Sequence, residues 1–563
     1  MIDDKFSIDE YKFDVKASEQ VQKTKTINKW PIVYIINNKN EAYIGETTDA
    51  QSRIKQHLSN PERTILNIIN IISSGTFNKS VILDLEAFLI KHMSADGKFK
   101  LQNGNGGLQF HKYYQQEEYE KLFGKIWKKL KEKGLVDKSI KEIENSDLYK
   151  YSPYKTLTDD QLEIARMIIT NLAMCLQAGK GGTFLINGEP GTGKSILGIY
   201  LIKLINDLKN GRITAEEQDE NDKLDFTKNL IKSFSNLKIG LVIPMNNFRK
   251  TVKEIFKNVY GLDPNMVIST TDVTKEQYDI LIVDEAHRLK RRLALAQYVQ
   301  FDDNNRKLGL GNEGTELDWI MKCSKCQILL YDENQSIRTS DIRFDKIKNI
   351  KNDTVFNMTL TSQLRCLGGN DYINYINEIL SENPPKEKID FGEKYDFKLF
   401  EHVDEMINAI KAKDKEIGLC RNFAGFAWEW INKGKKLEQI KKDETFDIVI
   451  DGHKYIWNTQ IEGFINSKNA INEIGCIHTA QGCDVNYAGV IIGNDIRYNP
   501  TSKEIYIVKD NYYDTKGKAG IVNEEELKKY IIDVYRILLT RGIKGTYVYV
   551  RNKELREYMK KYF

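Results

Sequence analysis

Short apolar runs alternate with stretches of helical periodicity from Tyr151 onward, the pattern of parallel sheets covered by helices. Runs at 183–187, 239–243, 279–283, 327–331 and 355–360 predict one group of buried strands. Runs at 416–420, 474–478, 488–493 and 545–550 predict a second. Upstream, two β-rich runs, Ile32 to Ile36 and Ala42 to Gly45, flank Asn37-Asn38-Lys39-Asn40 and predict a hairpin. Helices are predicted over 49–58, 63–73 and 80–94, ahead of the loop Asn103-Gly104-Asn105-Gly106-Gly107. Residues 1–25 read as irregular and 207–236 as a polar insertion. The segment 113–149 reads as a charged helical connector. Its Lys125, Lys128, Lys129, Lys131 and Lys133 form either a solvated face or a phosphate-contacting one. The fold class is therefore α/β: a small α+β domain over 1–112, a connector over 113–150, and two parallel-sheet lobes over 151–350 and 351–563.

Composition narrows the setting. A chain of 563 residues with 41% hydrophobic and 29% charged positions has material for several buried cores. The net charge of +4 gives no global basic field, so any nucleic-acid contact must come from local clusters. Seven cysteines, an odd number, fit a reducing compartment better than a disulfide framework. The acidic opening Met1-Ile2-Asp3-Asp4 is unlike a signal peptide, and no apolar run approaches the ~18 residues of a membrane span. We expect a cytoplasmic protein without a membrane partner. Cys323 and Cys326 form a CxxC, but no second pair stands at zinc-ligand spacing.

The strongest chemical signal is Gly188-Glu189-Pro190-Gly191-Thr192-Gly193-Lys194-Ser195, set between a predicted strand and a predicted helix. Gly188, Gly191 and Gly193 let successive backbone N–H groups turn toward an anion, and the helix adds its positive end. Lys194 would neutralise β/γ-phosphates, and Ser195 would offer a hydroxyl to Mg²⁺. Downstream, Asp284 and Glu285 end the apolar run Ile280 to Val283. There the first acid can hold Mg²⁺ through water and the second can orient an attacking water. ATP and Mg²⁺ are the expected cofactors.

The set of motifs in this order resembles superfamily-1 helicases. Asp284-Glu285-Ala286-His287 resembles motif II, and Gln161 the adenine-reading Q element. Val242-Ile243-Pro244-Met245 resembles motif Ia. Tyr331 to Gln335 resembles motif III, whose glutamine senses the γ-phosphate. Leu360 to Arg365 resembles motif IV, Ile477 to Gly482 (including Gln481) motif V, and Tyr535 to Gly542 motif VI. Over 150–550 the chain is most similar to a Schlafen group 3-like DNA/RNA helicase domain, which implies two RecA-like lobes. An arginine reaching the γ-phosphate stabilises transition-state charge by about 10³–10⁵ in rate. Arg365 and Arg541 are the candidates, and Arg536 ranks behind Arg541. Arg288, Lys290, Arg291 and Arg292 are placed to meet nucleic-acid phosphates. Phe423, Phe426, Trp428 and Trp430 are either base-stacking or core residues.

A second constellation occupies the first 110 residues. Tyr34 and Tyr43 stand on the hairpin arms, and Arg53 and His57 share a helix face at i, i+4. Glu86 interrupts an apolar helix, and Asn103 lies in the glycine-rich loop. Phosphodiester hydrolysis needs a base for water, a cation for the phosphate oxygens and a metal for the leaving oxygen, and these residue types supply them. The arrangement, with triplets Ile32-Val33-Tyr34 and Tyr43-Ile44-Gly45, resembles the GIY-YIG nuclease family over 30–105. The resemblance implies Tyr34 as base, Tyr43 as a second phenol and Arg53 as phosphate clamp. It implies Glu86 as ligand of one Mg²⁺ or Mn²⁺, with His57 and Asn103 in support. The first triplet lacks its glycine, and the spacing between the tyrosines is short.

Together these features predict an ATP-driven helicase or translocase tethered to a metal-dependent nuclease. It would act on DNA (RNA is possible) in bacterial defence against phage or in DNA repair. Two alternatives stay open: an ATP-gated nucleic-acid sensor that licenses the nuclease without unwinding, and a scaffold protein with a degenerate nuclease.

Overall fold

The computed structural model describes residues 5–24, 27–104, 113–155, 157–212, 228–295, 297–333, 335, 340–363, 366–480, 483–515, 518, 521 and 523–563. It is an α/β chain with a small N-terminal α+β domain followed by two parallel sheets. The chain divides into two compact units. The first holds 1–178, 195–241 and 250–267, and the second 179–194, 242–249 and 268–563. Among the described residues no helix is long and apolar enough to cross a membrane.

In the first unit the strands β1 (Ser7–Lys12), β2 (Ile32–Asn37), β3 (Glu41–Thr47), β4 (Ile68–Ser73) and β5 (Lys100–Leu101) form a sheet in the order β1-β4-β2-β3-β5. The predicted hairpin is β2–β3, in register at Tyr34↔Gly45 and Ile36↔Tyr43. The helix predicted over 63–73 is instead a short turn, Pro61–Arg63, and the strand β4. Its sequence Ile-Ile-Asn-Ile-Ile-Ser is rich in β-branched residues, whose stiff side chains favour a pleated surface, and β1 and β2 pair with its two edges. The N-terminal residues, predicted irregular, supply β1 and helix α1 (Val15–Lys23), whose start is capped by Asp14 accepting from Ala17 N at 3.1 Å.

Helix α2 (Ala50–Ser59), capped by Asp49, packs Ala50 and Ile54 into the core that holds Tyr34. Helix α3 (Lys79–Asp96) ends at Gly97, whose φ of 79° is the left-handed conformation that stops a helix. Helix α4 (Gln116–Glu132) buries Tyr119, Leu122, Phe123, Ile126, Trp127 and Leu130, the stripe expected of a docked helix. Phe123 and Trp127 pack on Phe88 of α3 with ring centroids 5.6 and 6.1 Å away, and Tyr119 Oη donates to Thr76 O at 2.7 Å. Asp96 closes the docking by accepting from Lys138 N at 2.7 Å. The segment beyond residue 113 is thus packed on α3, with Lys125, Lys128, Lys129, Lys131 and Lys133 facing solvent.

In the second unit the parallel strands Thr354–Leu360, Gly182–Gly188, Ser324–Tyr331 and Tyr278–Val283 lie side by side in that order. A second, all-parallel sheet runs Asp396–Phe400, Gly542–Val550, Val485–Ile492, Cys420–Ala424, Ile474–Gly475. The central strand Val485–Ile492 is buried on both faces, which is why its second half reads as a continuous apolar run, whereas the equally buried Cys420–Ala424 carries Arg421 and Asn422 and does not. The strand predicted at 416–420 begins later. Helix Val403–Ile417 continues until Gly418 (φ 77°), and the strand opens at Cys420. The predicted strand 474–478 stops at Gly475 and gives way to a helical turn, Ile477–Ala480.

Candidate active sites

The β2–β3 hairpin carries the first site. In its register Tyr34 faces Gly45 and Ile36 faces Tyr43, so both tyrosines project from one side of the sheet as diagonal neighbours. A Cβ on Gly45 would fall 2.6 Å from Tyr34 Cζ, so the phenol can cross its partner strand only where glycine stands. The i, i+4 spacing on α2 brings Arg53 and His57 to the same phenol. Tyr34 Oη lies 2.8 Å from His57 Nε2, and Arg53 Nε donates to Tyr34 Oη at 3.2 Å. The Tyr43 and His57 rings are 4.8 Å apart. Asn103 grips the second triplet with its side chain, accepting from Ile44 N at 3.1 Å and donating to Ile44 O at 2.8 Å. It thereby extends the short β3–β5 pairing by one more rung. Glu86 is half-buried on α3, and its negative charge reaches both phenols.

The electrostatics follow from this packing. Burial lifts Tyr34 well above the ordinary phenol range, and the neighbouring Tyr43 adds to the rise against the pull of Arg53. Burial, then the charges of Arg53 and Arg63, push His57 down to about 3, so it is a neutral ring at physiological pH. Arg53 stays fully cationic beside the two phenols. The cluster therefore offers a neutral histidine, a fixed cation and two phenols within the field of one carboxylate, Glu86.

Arg63 was not legible as part of this group. It ends the turn Pro61–Arg63, is buried, and holds its Cζ 3.7 Å from the centre of the Tyr43 ring. No motif or periodicity in the sequence connects it to the tyrosines.

The second site is built on the strand Gly182–Gly188 and the loop after it. Gly191 and Gly193 have φ of 89° and 78°, left-handed values open to glycine, and they turn the loop for its phosphate-cradling shape. Lys194 Nζ donates to Gly188 O at 2.5 Å and Glu189 O at 3.0 Å, and lies 3.5 Å from Asp332. Ser195 follows it as the second residue of the helix Lys194–Lys209. Asp284 is buried at the end of the strand Tyr278–Val283, its N–H bonded to Val242 O at 3.0 Å. Glu285 adopts φ 52°, a strained conformation for a non-glycine residue of the sort that clusters at functional sites. Burial would raise Glu285, but His287, Lys194 and Arg288 hold its carboxyl well below the usual range.

His287 joins two motifs, lying 3.1 Å from Glu285 and accepting at Nδ1 from Asp332 N at 3.2 Å. Gln335 donates to Asp332 at 2.8 Å, and Gln363 donates to Pro190 O in the phosphate loop at 2.7 Å.

Other predicted residues are placed differently. Gln161 is buried and caps the helix Asp159–Gln177, accepting from Thr158 N at 3.1 Å. Arg541 is buried, donating from Nε to Ile537 O at 3.0 Å with Asp484 3.9 Å from Nη1. Arg365, Gln481 and Gly482 lie outside the described residues. Arg288, read as a phosphate contact, is buried against Asp341 at 3.3 Å, and Arg292 is engaged by Asp302 at 2.7 Å. Phe423, Phe426 and Trp428 belong to the apolar core of the second sheet rather than a stacking surface, and Trp430 packs against it. Cys323 and Cys326 are buried, and the described residues contain no cluster of three metal-ligating side chains.

Comparison with known proteins identifies both parts. The profile of the Schlafen group 3 DNA/RNA helicase domain matches residues 182–552, and that of the GIY-YIG catalytic domain matches 31–101. The uncharacterized protein YPL245W of Saccharomyces cerevisiae (strain ATCC 204508 / S288c) is 27% identical over 436 residues, spanning 71% of this chain and 90% of the yeast protein. Among solved structures, arterivirus nonstructural protein 10 (helicase) aligns at 11% identity and a TM-score of 0.28, over 69% of this chain and 64% of that one. A DEAD box protein from Methanococcus jannaschii aligns at 14% identity and a TM-score of 0.22, over 73% of this chain and 95% of that one. The chain belongs to the Schlafen group 3 DNA/RNA helicase family, and it carries a GIY-YIG catalytic domain ahead of the helicase domain.

Proposed function

We propose that the chain is an ATP-dependent DNA helicase or translocase whose N-terminal domain, 1–112, is a metal-dependent endonuclease. The segment 113–150 follows, then two lobes read from the sequence as 151–350 and 351–563, with the strand Thr354–Leu360 belonging to the sheet of the first lobe. The observation that carries the nuclease half is the convergence of Tyr34, His57 and Arg53 on one phenolic oxygen, beside Tyr43 and within the field of Glu86. In this reading Tyr34 takes the proton of the attacking water and Arg53 holds the phosphate oxygens. Asn103 fixes the backbone that presents Tyr43. Glu86 would hold Mg²⁺ or Mn²⁺; a single half-buried carboxylate suits an ion that keeps several waters and takes phosphate oxygens as ligands. Such an ion stabilises the leaving oxygen when the phosphodiester bond breaks.

In the motor half, Lys194, Ser195 and Asp284 would hold ATP and Mg²⁺ with the amides after Gly188, Gly191 and Gly193. Glu285 would orient the water, Gln335 would sense the γ-phosphate, and Arg365 and Arg541 would neutralise it. Gln161 would read the adenine, and Gln481 and Gly482 would respond to nucleotide state. The target is DNA, with RNA as the other candidate.

A specific observation favours the reading in which ATP licenses the nuclease. The helix that opens at Lys194 meets Tyr154, whose hydroxyl bonds the last strand of the nuclease domain. Tyr154 donates to Leu101 O at 3.0 Å, immediately before Gln102 and Asn103, and Lys203 of that helix lies 6.0 Å over the Tyr154 ring. Lys203 is paired with buried Asp207, which also engages Arg212 at 3.3 Å. Asn206 Nδ2 donates to Gly261 O at 2.5 Å. Clearance of phage DNA in bacteria is the biological setting we propose first. DNA repair is the second setting we propose. ATP turnover and cleavage assays on single-stranded, duplex, forked and RNA substrates separate these readings. Strand displacement supports the helicase, and ATP-dependent nicking without displacement supports the licensed nuclease.

A further inference from the structure

We propose that Gln363 is a positioning residue of the ATPase, an amide bridge that sets the spacing between the phosphate loop and the strand that begins beside Arg541. The inference rests on the ATP-hydrolysis reading above. The edge strand Thr354–Leu360 runs parallel to Gly182–Gly188 and keeps register to its last residue, Leu360↔Gly188. The chain leaving the one strand is therefore delivered to the loop leaving the other. There Gln363 Nε2 donates to Pro190 O at 2.7 Å. A Cβ on Gly191 would fall 2.7 Å from Gln363 Cδ, so the amide lies flush against the loop only because glycine stands there. A carbonyl can only accept, so this bond fixes which way the amide faces. Its oxygen is left to accept from Cys366 N at 3.5 Å.

Cys366 is buried in the core of the second sheet. The next residue, Leu367, donates from N to Ile543 O at 2.9 Å, and Ile543 lies in the strand Gly542–Val550, whose first residue follows Arg541. Asn370 Nδ2 donates to Thr361 O at 2.8 Å and ties the same segment to the helix Gly369–Ile379. A run of hydrogen bonds thus leads from the crest of the phosphate loop to the backbone that carries Arg541. A guanidinium helps the γ-phosphate leave only from the right place, and a misplacement of about 1 Å costs about 10²-fold in rate. Gln363 engages a carbonyl of the loop and takes no N–H away from the phosphates. Hydrolysis therefore depends on it, and nucleotide binding does not.

The test measures ATP turnover against ATP concentration for the full-length chain, Gln363→Met, Arg541→Gln and the double variant. Binding of a fluorescent ATP analogue is measured on the same preparations. Methionine keeps the length of the side chain without its hydrogen bonds. We expect Gln363→Met to lower kcat about 10- to 100-fold, with KM and the analogue's Kd within about threefold of the parent. In the Arg541→Gln background the same substitution should cost less than about threefold, because the group it positions is already gone. Gln363→Glu sets a carboxylate against Pro190 O and should match Gln363→Met; it carries the comparison if the methionine variant does not fold. Parental turnover in both Gln363 variants, a loss accounted for by weaker nucleotide binding, or a full loss added to that of Arg541→Gln overturns the proposal. Absence of turnover in the parent removes the ATP-hydrolysis reading, and this proposal with it.

Discussion

The bond from Tyr154 Oη to Leu101 O is the place to ask whether the motor speaks to the nuclease. Tyr154→Phe removes one hydroxyl and leaves the buried ring against Lys203. Leu101 O then loses a neutral hydrogen bond, worth about 0.5–1.5 kcal/mol net and about 1–3 kcal/mol if the carbonyl is left unsatisfied. The substitution should therefore lower stability by about 1–2 kcal/mol and leave the chain folded. If nucleotide state reaches Asn103 and Tyr43 through this contact, the coupling free energy cannot exceed what the bond supplies. The ratio of nicking with ATP to nicking without it should then fall by about 5- to 30-fold. The assay is plasmid nicking at saturating Mg²⁺, with and without ATP, beside ATP turnover on the same preparation. We expect ATP turnover and nucleotide-free nicking to stay near parental values while the ATP response collapses. An undiminished response in a folded Tyr154→Phe chain would refute coupling through this contact.

Other consequences are equally direct. Gly45→Ala places a methyl against the Tyr34 ring and should abolish nicking while far-UV circular dichroism stays parental; retained nicking would show that the ring need not cross Gly45. Lys194→Ala should abolish ATP turnover and leave metal-dependent nicking measurable, as followed by phosphate release and plasmid relaxation. His57, with a folded value near 3 against an ordinary 6.5, favours the folded state in its neutral form. Its contribution is full above pH about 6.5 and is lost as pH falls toward 3, a few kcal/mol at most. Denaturant unfolding at pH 7 and pH 4.5 should show this loss in the parent, and His57→Gln should flatten it.

Much of the fold could be read from the chain because buried parallel strands announce themselves as apolar runs, as 183–187 and 279–283 do. The hairpin was legible from its asparagine-rich turn, Arg53 and His57 as one helix face from their spacing, and their grouping with Tyr34 from the resemblance to the GIY-YIG pattern. Short apolar segments defeated periodicity. Ile68–Ser73 fits a helix or a strand equally well until β1 and β2 pair with it. β1 itself is too polar to be recognised, because only the pairing with β4 makes Ser7–Lys12 a strand. The packing of α4 on α3 was hidden behind its lysines, which occupy the solvent side of an otherwise apolar helix. Arg63 was invisible for a different reason. A lone arginine after a proline turn carries no pattern, and its meaning comes from the fold that brings it over Tyr43. Arg288 shows the converse, a basic residue in a suggestive run that the fold buries against Asp341.

The nuclease–motor account is tested most directly by following relaxation of supercoiled plasmid in Mg²⁺ by the parent, Tyr34→Phe and Glu86→Ala proteins. The account predicts nicking by the parent and at least a hundredfold loss in both variants, with ATP turnover intact in all three. Equal nicking by the three proteins would contradict it.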